Sequence, residues 1–364
     1  MPAMAPSVAD LETPSTVDVI ANLKQEVKEQ VKGPSYPFYY PQWDLDEKFT
    51  PIEPFEFTDP GSRANPAKPH LLTANTTTHD ISPYLGTKVT GVQISQLISE
   101  GLDELALYTA ERKVLIFRDQ DFKDLGPEKQ IEIVSYFGPI HKHPTSGNGF
   151  PEFHVVYRDA DHDEHREYIG LERSSLTSWH SDISYERQTP GTTFFFILDQ
   201  PDNGGGGDTL FLSQVEAYRR LSPEFQKRLE GLRAVHSGVA QADISRKRGG
   251  PVRREPIESE HPVVRVHPVT GEKALYVNPG FTRRIVGYKT EESEHLLKFL
   301  YDHIARDRTS RFVGRTSPGR SLFGIFSVSQ DNRLTCHSAT LDFDNVLRRH
   351  AVRLTPQAEV PIAG

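Results

Sequence analysis

The sequence predicts a mainly β protein, a double-sheet body with inserted helices, preceded by an N-terminal arm. Apolar runs of strand length recur after turn residues, as in VLIFRDQ, HPVVRVHP, KALYVNP, SLFGIFSVS and HAVRLTP, and the strands they imply outnumber the helices. Helical periodicity is confined to a few stretches between them. With 364 residues, 36% of them hydrophobic, the chain is long enough for a substantial core.

Taken in order, Val17, Ile20, Leu23 and Val27 recur at helical intervals within residues 16–32, and Gly33-Pro34 would end that helix. From Gly33 to about Pro69, prolines interrupt every regular element, while the aromatics of PSYPFYYPQW and EPFEF need a surface to cover. Residues 1–69 are therefore read as a helix and an extended arm lying on the body or on a neighbouring subunit. The body, residues 70–358, opens with a short strand in GTKVTGVQISQL, a helix in SEGLDELALYTAERK, the buried strand VLIFRDQ and a second helix in PEKQIEIVSYFG. Trp179 to Asp199 reads as strand-like runs, of which Phe194 to Leu198 is the most apolar, and Gly204 to Gly207 as a tight connection. VEAYRRLSPEFQKRLEGL gives a pair of helical segments and EESEHLLKFLYDHIA a later helix. Residues 359–364 are a tail.

Composition excludes several classes. A net charge of −8 leaves no global basic field, so neither nucleic acid nor an anionic membrane surface is an expected partner. No apolar run approaches the roughly 20 residues needed to cross a bilayer. The first 23 residues carry no Lys or Arg but include Asp10 and Glu12, unlike secretory or mitochondrial leaders, so the cytoplasm is the expected location. One cysteine, Cys336, rules out an intramolecular disulfide framework.

The chemistry-bearing motif is WHSDISYE. If this segment is a strand, His180 and Asp182, two residues apart, leave the same face and converge on one ion. A further histidine, His337, lies far downstream in DNRLTCHSA. Two histidines and one carboxylate on one face of an octahedron are what non-haem iron oxygenases use. Such pairs also arise by chance among 15 histidines; HDEH at His162 to His165 is another, in the charged run DADHDEHRE typical of a solvated loop. Cys336 adjoins His337 and would point to the opposite strand face, as a packing residue.

WHSDISYE, GGGGDTLFLSQVEAYRRLSPEFQKRLEGLRAVHSG, HPVVRVHPVTGEKALYVNPGFTRRIVG, DNRLTCHSA and RRHAVRLTP together resemble the taurine dioxygenase family, including its fungal sulfonate dioxygenase-like members. The resemblance runs from about residue 80 to 358 and implies a double-stranded β-helix, or jelly-roll, core. It assigns His180, Asp182 and His337 to iron(II), and Thr209 with Arg349 to the cosubstrate 2-oxoglutarate, with Arg348 the rival of Arg349. A guanidinium suits the far carboxylate of a chelating keto acid because it offers two parallel N–H donors. Arg353 falls where the family binds its substrate sulfonate, His143 near that anion, and Tyr185 and Phe281 on the pocket wall, while Asp331 to Arg333 keep the family's DNR.

Leu176, Ser146 and Gln330 depart from the family pattern on the substrate side and leave taurine itself open. The resemblance implies hydroxylation of a small anionic substrate by dioxygen, an organosulfonate first, with release of sulfite and an aldehyde. Because halogenating relatives replace the metal carboxylate, Asp182 favours hydroxylation. Oxidation of an amino acid or another small carboxylate is the alternative within the class; a noncatalytic or hydrolytic zinc-binding jelly roll is the alternative outside it. Family habit and the aromatic arm point to a homodimer or homotetramer.

Overall fold

The computed structural model describes residues 36–42, 44–145, 149–158, 179–199, 209–306, 311–314, 322–326, 334–338 and 348–364, with the backbone alone at 158, 209–210, 311–314, 322–326 and 334–338. In chain order the first strands are β1 (Thr77–Asp80), β2 (Thr87–Thr90), β3 (Val114–Arg118), β4 (His154–Arg158), β5 (Thr193–Asp199), β6 (Thr209–Ser213), β7 (Arg233–Ser237) and β8 (Glu258–Pro262). They are followed by β9 (Val264–Val266), β10 (Lys273–Leu275), β11 (Thr282–Ile285), β12 (Arg311–Gly314), β13 (Leu322–Phe326), β14 (Leu334–Ser338), β15 (Arg349–Leu354) and β16 (Ile362–Ala363). The helices are α1 (Ser99–Arg112), α2 (Pro127–Ser135), α3 (Gln214–Arg219), α4 (Pro223–Leu229), α5 (Val239–Lys247) and α6 (Thr290–Arg306).

A main sheet runs β1-β2-β3-β13-β5-β15-β4, antiparallel except for the β2–β3 pair. A smaller sheet, β12-β6-β14, supplies the second layer. Strand alternation sorts the side chains of the main sheet into two sets. Leu115, Phe117, Phe194, Phe196, Val352 and Leu354 share a core with Leu102 and Leu105 of α1, Val134 of α2 and Tyr39. Val114, Ile116, Phe195, Ile197 and Ala351 face the other way and pack with Phe211 of β6. This is the two-layered, mainly β jelly-roll body with inserted helices that the sequence predicts. Two further three-stranded sheets, β11-β7-β8 and β10-β9-β16, flank it. Leu297, Leu300 and Ile304 of α6 bury a helical stripe in a core shared with Trp179, Leu212 and Val277.

Local chemistry accounts for the helix ends. Ser213 accepts from the Glu216 N–H at the start of α3; Ser222 accepts from the Phe225 N–H, and Pro223 opens α4. Helix α5 was not foreseen: VAQADISRK is mostly polar, and within it only Ala242 and Ser245 are buried.

The arm residues described lie on this chain's own body. Tyr39 enters the core, donates to Gln130 Oε1 at 3.0 Å and packs edge-on against Phe153. Phe49 donates its N–H to the Arg253 carbonyl at 2.6 Å, and its ring lies 4.6 Å from the Arg253 guanidinium. Phe55 exchanges hydrogen bonds with the Gln188 amide. The helix expected at 16–32, the Gly204 to Gly207 connection, the HDEH run, Ser146, Leu176, Gln330 and the DNR motif fall outside the described residues.

One expectation is corrected. Within Trp179 to Asp199 the regular strand runs from Thr193, with isolated bridges at His180 and Pro190; residues 182–185 form a turn, with Ile183 at φ 38°. The Glu186 N–H closes on the Ile183 carbonyl at 3.0 Å, and Ser184 is pinned by His236 Nδ1 at 2.9 Å and Asn278 Nδ2 at 3.1 Å. Buried polar partners thus outcompete a ladder here.

Candidate metal and anion site

His180 and Asp182 meet, His180 in an isolated β-bridge and Asp182 at the start of a turn. His180 Nε2 lies 3.3 Å from Asp182 Oδ1, with the Asp182 side chain buried and that of His180 28% exposed. The turn at 182–185 begins at Asp182, two residues beyond that bridge. Gly280 adjoins the pair: a Cβ there would stand 3.3 Å from His180 Cβ, so the chain before Phe281 passes close behind the imidazole.

Asp182 also receives Arg353 Nη1 at 2.8 Å. Burial pushes the Asp182 carboxyl up, but Arg353 and His180 outweigh it and bring it to about 2. Arg353 stands opposite His154 of β4 and Phe195 of β5 in register, and Arg349 lies two pairs of residues back along the same alternation, buried. Both arginines therefore share the strand face of Ala351, which packs between the sheets. Arg348 precedes β15 and is engaged elsewhere, 3.3 Å from Asp199 Oδ2.

His143 closes the other side. Its Nδ1 accepts from the Thr145 N–H at 3.3 Å, which leaves the proton of the neutral ring on Nε2. Burial pushes the ring well below its usual value, with His141 and Arg353 adding to the effect. The loop is held by buried arginines: Arg253 Nη2 donates to the His143 carbonyl at 2.8 Å, and Arg254 Nη2 lies 2.6 Å from Glu186 Oε1, which also meets His141 Nε2 at 2.9 Å. Against this site Tyr185 and Phe281 form an edge-on pair 5.1 Å apart, with the Tyr185 hydroxyl donating to Gln241 at 2.9 Å. Gly238 lets the Tyr185 ring lie flat, since a Cβ there would stand 3.1 Å from it.

Thr209 and His337 are brought onto neighbouring strands: Thr209 pairs with Ser338, and His337 with Leu210. Their side chains lie outside the described set, and among the described residues no three His, Cys, Asp or Glu side chains gather as a metal site. Sequence reasoning missed His154. Its ring centroid is 4.5 Å from that of His143, and nothing in HVVYR distinguishes it until the topology places β4 beside β15.

An imidazole and an ionised, buried carboxylate in contact form a donor set that suits a borderline divalent cation such as iron(II), and the turn leaves His180 open to an incoming ligand. Two facing sheets with this pair at their edge and arginines directed between them define the class of jelly-roll metal-dependent oxygenases. The model of the taurine catabolism dioxygenase TauD, TfdA family matches residues 77–355, and the chain belongs to that family. It is 49% identical to the alpha-ketoglutarate-dependent dioxygenase cnsM of Penicillium expansum, over 92% of each chain. It is 40% identical to an alpha-ketoglutarate-dependent sulfonate dioxygenase of Saccharomyces cerevisiae, over 94% of this chain and 82% of the other. The crystal structure of a taurine dioxygenase from Burkholderia xenovorans superposes with a TM-score of 0.60 at 26% identity, covering 79% of this chain and 93% of that one. The protein is a 2-oxoglutarate-dependent dioxygenase with iron(II) as its metal, which sets aside the hydrolytic zinc reading. Among the described residues no helix is long and apolar enough to cross a membrane.

Proposed function

We propose that the enzyme hydroxylates a small organosulfonate at the carbon bearing sulfur, so that the product breaks down to sulfite and an aldehyde. The observation that carries this reading is Arg353 at 2.8 Å from Asp182: a fixed cation stands beside the metal carboxylate, so an anionic head group held by Arg353 puts its neighbouring carbon next to the metal. His180, Asp182 and His337 would hold the iron, Thr209 and Arg349 the far carboxylate of 2-oxoglutarate, and Arg353 with the Nε2–H of His143 the substrate anion. The engagement of Arg348 with Asp199 supports Arg349 for the cosubstrate. Bound there, iron(II) with 2-oxoglutarate supplies the oxidising power to place an oxygen atom from dioxygen in a C–H bond.

The residues do the rest. Arg353 and His143 orient the head group, Tyr185 and Phe281 cover the carbon chain and exclude water, and burial keeps the Tyr185 phenol protonated. The name of the yeast relative supports the sulfonate. Taurine is one member of the class proposed, with no claim to be the preferred one. A second reading, oxidation of an amino acid or other small carboxylate, is favoured by Arg353 itself, which here pairs with a carboxylate. The deciding measurement is 2-oxoglutarate-dependent sulfite release across a panel of alkanesulfonates, sulfate esters and amino acids. Succinate formation coupled only to carboxylate oxidation would overturn the sulfonate reading. The proposal extends to a cytoplasmic homodimer or homotetramer, checked by light scattering and cell fractionation.

A further inference from the structure

Among the described residues, the buried polar atoms of this site that meet no partner include Arg353 Nε and His154 Nδ1. They belong to residues paired directly across β15 and β4, so both side chains leave the same face of the sheet. Leaving a buried donor or acceptor unsatisfied is costly, and two on facing residues are most simply explained by a ligand that bonds both. The His154 ring stands 4.5 Å from that of His143, tilted by 55°, so the imidazole that faces Arg353 across the strands also adjoins the histidine of the anion site.

Burial, then Arg353 and His143, push His154 well below its usual value. At neutral pH it brings an N–H without adding a second positive charge beside Arg353.

We propose that His154 is a third donor of the substrate-anion site and makes that site select head groups with three terminal oxygens, a sulfonate or a sulfate ester, over carboxylates. This rests on the sulfonate reading above. Three donors on adjoining residues match in number the three oxygens arranged around sulfur. A planar carboxylate presents two oxygens, which Arg353 and His143 satisfy without His154.

The test is calorimetric binding to the iron(II) and 2-oxoglutarate-loaded protein without oxygen, so that nothing turns over. The probes are pentanesulfonate, pentyl sulfate and hexanoate. His154→Phe keeps the ring and removes both nitrogens. It should weaken the sulfur anions roughly tenfold and leave hexanoate within about twofold. His154→Gln, which restores an N–H donor, should recover most of the loss. His154→Leu, a smaller side chain, repeats the measurement if Phe does not fold. The wild-type preference between pentanesulfonate and pentyl sulfate tells which source of the head group the site takes. Equal weakening of all three probes, or of none, overturns the role of His154 and leaves the sulfonate reading standing. Failure of the wild type to bind either sulfur anion while it binds hexanoate overturns both.

Discussion

The two faces of the main sheet are built from the same strands and do opposite things. On one, Phe194, Phe196 and Val352 meet aromatic and aliphatic neighbours from α1, α2 and the arm. On the other, Phe195, Ile197 and Ala351 hold the second layer, while Arg349, Arg353 and His154 share their face. The first face supplies apolar burial; the second tolerates buried charge because it is spent on positioning. Two-residue periodicity allows one strand to carry both without compromise.

Breaking the contrast hardest on the charged face, Asp182→Ala should abolish turnover together with the weak visible charge-transfer band of the iron(II) and 2-oxoglutarate complex, while the folded signal by circular dichroism stays. A retained band would remove Asp182 from the metal. On the apolar face, Phe196→Ala should cost about 3–5 kcal/mol in urea unfolding and leave the KM of the surviving folded enzyme within about twofold. If KM moves as far as stability does, the two faces are not separable. Within the charged face, Arg349→Ala should raise the KM for 2-oxoglutarate roughly 10- to 100-fold, as expected for a charge-assisted contact, and Arg348→Ala by less than about threefold. The reverse ranking would exchange their roles.

The smallest effect expected is in pH. Burial, then Arg265, bring His261 down to about 3, and His141, His143, His154 and His236 are also held below their usual value by burial. With the folded value below the unfolded one, the unfolded chain binds more protons between pH 3 and 6.5, so stability is full above 6.5 and falls as pH drops. From pH 6.5 to 5.5 the His261 ring should cost about 1 kcal/mol. His261→Gln should flatten the slope of urea midpoints against pH, and an unchanged slope would show that His261 does not titrate in this window.

Legibility followed the same division. The apolar face could be read from periodicity, since VLIFR, TFFFILD and HAVRL announce strands and the leucines of α1 and α6 a helix. Strand β1, TTHD, has four exposed residues, and α5 is mostly polar, so neither leaves a hydrophobic trace. At the site, motif order singled out His180, Asp182, His143 and Arg353, which the fold brings near one another. The turn that begins at Asp182 was hidden, because it depends on His236 and Asn278, far along the chain. His154 was hidden for the same kind of reason: its meaning is a cross-strand relation to Arg353, and cross-strand neighbours are not neighbours in sequence.

The arm lies before the family match, yet it reaches the site in two steps. Glu47 pairs with Arg253 Nη1 at 2.9 Å, and the same guanidinium donates to the carbonyl of His143. Arg253 is fully buried, so its charge and the posture of the histidine loop both lean on a carboxylate from outside the residues that the family model matches. The boundary of the family model at residue 77 is therefore not the boundary of the working part: a change at Glu47 can reach the posture of the histidine loop without touching any residue of the matched domain.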